Sequence, residues 1–185
     1  MAKKDFEKII TPVFRVSFPQ VFQPKAAPGS EKEKYSLVMI FKKGEDLSVL
    51  KDLIKKVVKE AYPDGIPEGF HTPLKDGNGK EYDGYKDTIY CTASSMQQPG
   101  VLDETKQPII NPIEFYAGCY AIATVNVYTW KYMGKQGVSI GLQNLMKIDD
   151  GEPLTGGASA EADFSEIVVP EEEVADKGDE LSILG

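Results

Sequence analysis

Residues 119–132, CYAIATVNVYTWKY, decide how this chain folds. The run holds no proline or glycine and is rich in β-branched and aromatic side chains, so it reads as a long strand. Side chains of a strand alternate between two faces. One face carries Cys119, Ala121, Ala123, Val125, Val127 and Thr129, which is small, apolar and suited to a core. The other carries Tyr120, Ile122, Thr124, Asn126, Tyr128, Trp130 and Tyr132. A merely solvated face would show lysine, glutamate and threonine rather than four rings. Rings set among hydroxyls and amides suit the stacking of bases, at about 1–3 kcal/mol for each base and with little regard to sequence.

Outward from this strand, 132–135 (YMGK) predicts a hairpin turn into a second long strand at 136–148. Upstream, 88–95, 35–41 and 13–18 are further strand candidates, the last ended by Pro19. In 13–18, Phe14, Val16 and Phe18 are expected inward, leaving Arg15 and Ser17 outward. In 88–95 the outward face is Thr88, Tyr90, Thr92 and Ser94. Between 46 and 62, Leu50, Leu53, Ile54, Val57, Val58 and Ala61 recur at helical spacing, with Lys51, Lys55, Lys56 and Lys59 opposite. Glu45 and Asp46 suit the amino end of that helix, and Pro63 and Gly65 stop it. Segments 20–34, 63–87 and 96–112 read as long loops, with a hairpin-type turn signal at 76–79 (DGNG). Five strands with one helix predict a mainly β chain: an OB-fold-like, five-stranded, partly open barrel. A β-sandwich satisfies the strand count less naturally.

The net charge of −8 is unevenly spread. Residues 1–150 carry 20 Lys+Arg against 19 Asp+Glu, whereas 151–185 set ten acidic residues against Lys177 alone. An acidic average would argue against nucleic acid, but here a neutral body carries an acidic appendage. The expected division is a domain over 1–150 and a disordered acidic tail over 151–185. The tail opens on a linker-like GGASA at 156–160 and cannot bury enough apolar surface to offset its chain entropy. Its Glu171, Glu172, Glu173, Asp176, Asp179 and Glu180, with the apolar tip Leu181, Ile183 and Leu184, form a candidate partner-binding segment.

Cys91 and Cys119 sit in apolar strands and read as reduced core thiols. His71 is the single histidine and has no partner at ligand spacing, so no metal or cofactor is expected. Residues 76–81 fail as a calcium loop, because Lys80 and Glu81 stand at the fifth and sixth positions. No nucleophile elbow or phosphate loop occurs, and the chain does not read as an enzyme. Asp76, Asp83 and Asp87 leave a magnesium-dependent nuclease as a distant alternative. The amino terminus lacks a signal peptide's apolar run, and no stretch reaches the ~20 apolar residues of a membrane span. A cytoplasmic protein without a membrane partner is expected. The candidate DNA-binding set is Arg15, Lys34, Lys86, Tyr90, Tyr120, Tyr128, Trp130, Lys131, Tyr132 and Lys135: rings for bases, and cations at strand ends for phosphates.

The run 137–157 (GVSIGLQNLMKIDDGEPLTGG) resembles the closing strand and exit of phage single-stranded DNA-binding proteins. Residues 11–19 (TPVFRVSFP) and 116–128 (YAGCYAIATVNVY) match that family in character, so the likeness covers most of 9–157. It implies an OB fold, sequence-independent binding and protection of single-stranded DNA in phage replication and recombination, and life in a bacterial host's cytoplasm. It also implies an acidic tail that recruits replication or recombination proteins and competes for the DNA groove. A homo-oligomer is compatible with this reading. The tail ends ELSILG, without the terminal Pro-Phe of the better-known bacterial proteins. The competing expectation is a phage interaction or assembly module that binds no nucleic acid.

Overall fold

A computed structural model describes residues 6–154. The elements in chain order are β1 (Ile9–Ile10), β2 (Phe14–Ala26), β3 (Glu33–Lys42), α1 (Ser48–Ala61), β4 (Lys75–Asp76), β5 (Thr88–Ser95), β6 (Gly100–Leu102), β7 (Tyr120–Tyr132) and β8 (Lys135–Asp149). Five of the strands close a ring in the order β7, β2, β3, β5, β8 and back to β7. All of its pairs are antiparallel except β5–β8, which is parallel. Two seams are short: Phe14 and Arg15 meet Ala121 and Tyr120, and Ala93 and Ser94 meet Ile140 and Gly141. The result is the expected OB-type barrel, partly open where those seams run out.

Alternation along the strands fills the interior. Phe14, Val16, Leu37, Met39, Phe41, Cys91, Ala93, Val125, Val127, Val138, Ile140 and Leu142 are all buried. Alanines at 121 and 123 keep β7 thin at the closing seam, where Phe14 meets Phe41 edge to face at 5.9 Å. The helix lies within the predicted 46–62, with Leu50, Leu53 and Val58 buried and Ile54 and Val57 half-buried. Ala61 is exposed, since the last turn has left the core. Asp46 accepts the backbone N–H of Ser48 at 3.0 Å, serving the amino end as expected. Cys91 and Cys119 are buried and unpaired, and burial pushes the Cys91 thiol up to about 12.

Four expectations need correction. Pro19 does not end β2, which runs on to Ala26, so much of 20–34 is the arm of a β2–β3 hairpin. Its prolines are tolerated because Pro19 and Pro24 each fall within a register shift, where no ladder N–H is required. At the first shift Phe18 takes φ +44° and turns outward to 42% exposure, instead of following Phe14 and Val16 inward. The DGNG segment is a 3-10 turn at Gly77–Gly79 and not a hairpin: the Asp76 carboxylate accepts from Asn78 N–H, and Asn78 Oδ1 accepts from Asp87 N–H. The third segment read as loop contains β6, which runs parallel to β8.

Candidate nucleic-acid interface

Register places the outward residues of the ring in rows. Ile40 lies opposite Tyr90, Val38 opposite Thr92 and Ser36 opposite Ser94. Across the parallel seam Ser94 meets Gly141, and on β7 Trp130 and Tyr128 lie opposite Gly137 and Ser139. Between the rings of β5 and β7, strand β8 therefore presents only Gly137, Ser139 and Gly141. The groove left there, about 250 Å³, is lined by His71, Lys75, Tyr90, Thr92, Trp130 and Ser139.

One wall is a stacked pair. The His71 ring lies 5.7 Å from the Trp130 ring at 29°. Its loop is held by His71 N–H donating to Gln136 O (3.0 Å) and Val138 N–H donating to His71 O (3.0 Å). A Cβ at position 137 would stand 2.7 Å from His71 Cβ and 2.9 Å from Trp130 Cζ2, so glycine is what admits the stack. The opposite wall, Tyr90, is braced by Tyr85 at 5.2 Å, which leads on to Tyr82 and the everted Phe18. Tyr85 itself is buried with its hydroxyl donated to Ser17 Oγ at 2.8 Å, and burial pushes its phenol upward.

A second cleft of about 480 Å³ shares Thr92 with the first and runs under the β2–β3 arm, with Lys25, Lys32 and Lys34 beside Phe18, Ser36 and Ser94. At the far side stands the β7–β8 turn, whose Met133 (φ +49°) and Gly134 (φ +76°) form the tight hairpin expected. It exposes Tyr132 to 72%, flanked by Lys131 and Lys135. The β3–β5 face between a long arm and a hairpin tip is the part of an OB barrel that takes oligonucleotides.

Of the predicted residues, Tyr90 and Trp130 share the central groove, Lys34 lines the adjoining cleft, and Lys131, Tyr132 and Lys135 sit at the tip. Arg15, Lys86 and Tyr120 gather instead in a third cleft with Lys42, on the other side of segment 77–87. Arg15 faces outward as expected, but its guanidinium donates to Glu152 O (2.6 Å) and Gly118 O (3.3 Å), holding down the segment that leaves the barrel. That segment is fastened further by Tyr116, whose hydroxyl donates to Asp150 at 2.8 Å, and by Leu154 N–H on Ala117 O. Tyr128 lines a separate cleft against α1. His71, Lys75 and Phe18 escaped the sequence reading: no pattern links a loop histidine to Trp130, and eversion broke the alternation at Phe18. The tail candidates from Glu171 to Leu184 lie outside the described residues.

Among the described residues no three His, Cys, Asp or Glu side chains converge on a cation site, and Asp76 pairs with Lys43 at 3.2 Å. No helix among the described residues is long and apolar enough to cross a membrane.

A five-stranded ring with a ringed groove between two lysine-bearing projections defines an OB-fold barrel of the nucleic-acid-binding type. The chain belongs to the family described as Enterobacter phage Enc34, ssDNA-binding protein, whose model matches residues 7–176. A protein designated p50, from Acyrthosiphon pisum secondary endosymbiont phage 1, is 32% identical over 172 residues, covering 86% of this chain and 93% of the relative. Among solved structures, the single-stranded DNA-binding protein of bacteriophage Enc34 in complex with ssDNA superposes with TM-score 0.67 at 19% identity, over 79% of this chain and 88% of that one. The gp2.5 single-stranded DNA-binding protein of bacteriophage T7 superposes with TM-score 0.60 at 13% identity, over 92% and 99%. At those identities the two structures speak to the fold.

Proposed function

We propose that this chain binds and protects single-stranded DNA without regard to sequence during phage DNA replication and recombination, in the cytoplasm of the bacterial host. The observation that carries this is the groove between Tyr90 and the Trp130–His71 stack, open on small side chains and flanked by lysines. Unpaired bases enter such a groove edge-on and stack, while Lys25, Lys32, Lys34, Lys75 and Lys135 meet the phosphates. Family membership and the ligands in the relatives' names support the same reading. Trp130 is the single tryptophan, so its fluorescence reports the groove directly. Titration with oligo-dT should quench it, and log K should fall linearly with log salt at about 0.7 per phosphate neutralised. An unquenched Trp130 together with no salt-dependent complex would leave the interaction or assembly module as the better reading.

The acidic tail is read as a polyanion that competes for the lysine-flanked groove and, once displaced by DNA, is free to recruit replication or recombination proteins. Replacing Glu171, Glu172, Glu173, Asp176, Asp179 and Glu180 by their amides should tighten oligo-dT binding severalfold at low salt and have little effect near 0.5 M salt. There the Debye length has shrunk to roughly 4 Å and the competition is screened. Equal affinities at low salt would refute competition.

A further inference from the structure

A cleft of about 660 Å³ lies apart from the proposed DNA groove. It is floored by Phe6, Val57, Ala61 and Val127 and bounded by Tyr128 and Thr129 of β7. Strand β1 pairs with β7 only as far as Ile9 opposite Val125, yet β7 continues to Tyr132. Thr11 N–H on Ala123 O shows that odd-numbered residues of β7 turn their backbone groups toward this edge. On that side Val127 and Thr129 have no backbone partner among the described residues. An unpaired, partly apolar strand edge is a template for one more strand.

We propose that residues 164–169 (FSEIVV) of the same chain add to this edge as a strand antiparallel or parallel to β7, seated between it and α1. Three observations favour this occupant over others. In the sequence beyond Leu154 it is the only run dense in aromatic and β-branched residues, and Pro170 ends it. The chain can reach: Leu154 is fastened at Ala117, beside the start of β7, and Val127 is about 23 Å along that strand. Ten residues from 154 to 164 span up to about 33–36 Å. The family match also extends to residue 176, taking in this run and leaving the extreme carboxyl end outside. The segment beyond 154 is thereby divided into a docked run and a terminal acidic arm, and only the arm is available to compete for DNA.

The proposal does not depend on the DNA-binding reading, since the two sites share no residue. Its test is amide hydrogen exchange on the full-length chain without DNA, compared with the full-length double variant Ile167→Asp, Val169→Asp, which leaves every residue of the barrel strands unaltered. Exchange at the Val127 and Thr129 amides, which face this edge, should be slower in the unaltered chain by about tenfold or more, as expected for a strand edge that is covered rather than open. This protection should be independent of protein concentration. Equal exchange in the two chains would overturn the proposal, whether the edge is bare or covered by residues 1–5. Protection that grows with concentration would overturn it too, by showing that a second copy supplies the strand.

Discussion

The Trp130→Ala chain should lose oligo-dT affinity by a factor of roughly 5 to 150, the loss of one base stack worth about 1–3 kcal/mol. Fluorescence anisotropy of a labelled oligonucleotide is the measurement, since the substitution removes the single tryptophan. The loss should fall near the upper end because Trp130 forms one wall of the groove and also seats the His71 ring at 5.7 Å. Tyr90→Ala removes the facing wall and should cost a similar factor. The two losses should not add, because both act on a base held between the same walls. Tyr128→Ala is the informative control: period two puts it on the same face as Trp130, yet it lines the cleft against α1 and should bind nearly as the unaltered chain does. Lys34→Ala should lower affinity modestly and reduce the salt slope by about 0.7, the signature of one phosphate contact. If Tyr128→Ala bound poorly while Trp130→Ala did not, the DNA path would have to be moved to the α1 side.

The contrast between Trp130 and Tyr128 also marks how far the sequence could be read. Along β7 the small residues at 121, 123, 125 and 127 are buried as the alternation requires, but Asn126, expected outward, is buried as well, its side-chain oxygen accepting from Gln143 Nε2 at 2.8 Å, so the two faces were legible only in part. The helix was legible for the same reason at a different period. Alternation, however, says which side of the sheet a residue takes and not which neighbour it meets around a twisted, closed barrel. Tyr128 and Trp130 diverge because the strands and loops beside them differ. Residues brought in by long-range pairing were illegible on similar grounds. His71 reaches Trp130 through a bridge to Gly137, 66 positions along the chain, and nothing near His71 in sequence announces it. The parallel β5–β8 seam that closes the ring is equally non-local. Phe18 leaves the alternation for a local reason: Pro19 falls in a register shift of β2 rather than at its end, and the shift turns the preceding ring outward.

Phe14→Ala should be the most destabilising of the substitutions considered, by about 3–5 kcal/mol, the usual cost of removing a fully buried phenylalanine. Against a typical total of 5–15 kcal/mol this is a large fraction, and a chain of this size should lose roughly 10 °C in Tm or more. Two features place Phe14 at the upper end. Its neighbour across the closing seam is Ala121, which cannot swing over to fill the void, and its edge-to-face partner Phe41 would lose its contact as well. The seam itself is only two residue pairs long, so the cavity would open at one of the two places where the ring has little strand pairing to hold it. Differential scanning fluorimetry with and without oligo-dT separates the two roles of the barrel. Trp130→Ala should lose the ligand-induced rise in Tm while its unliganded Tm falls less. Phe14→Ala should start lower but keep a rise on binding, because its groove is built on the opposite side of the ring, from β5, β8 and the far end of β7. An unliganded Tm within a degree or two of the unaltered chain would mean that the β2–β7 seam does not hold the barrel closed, and that the stability lies in the β2–β3–β5 sheet alone.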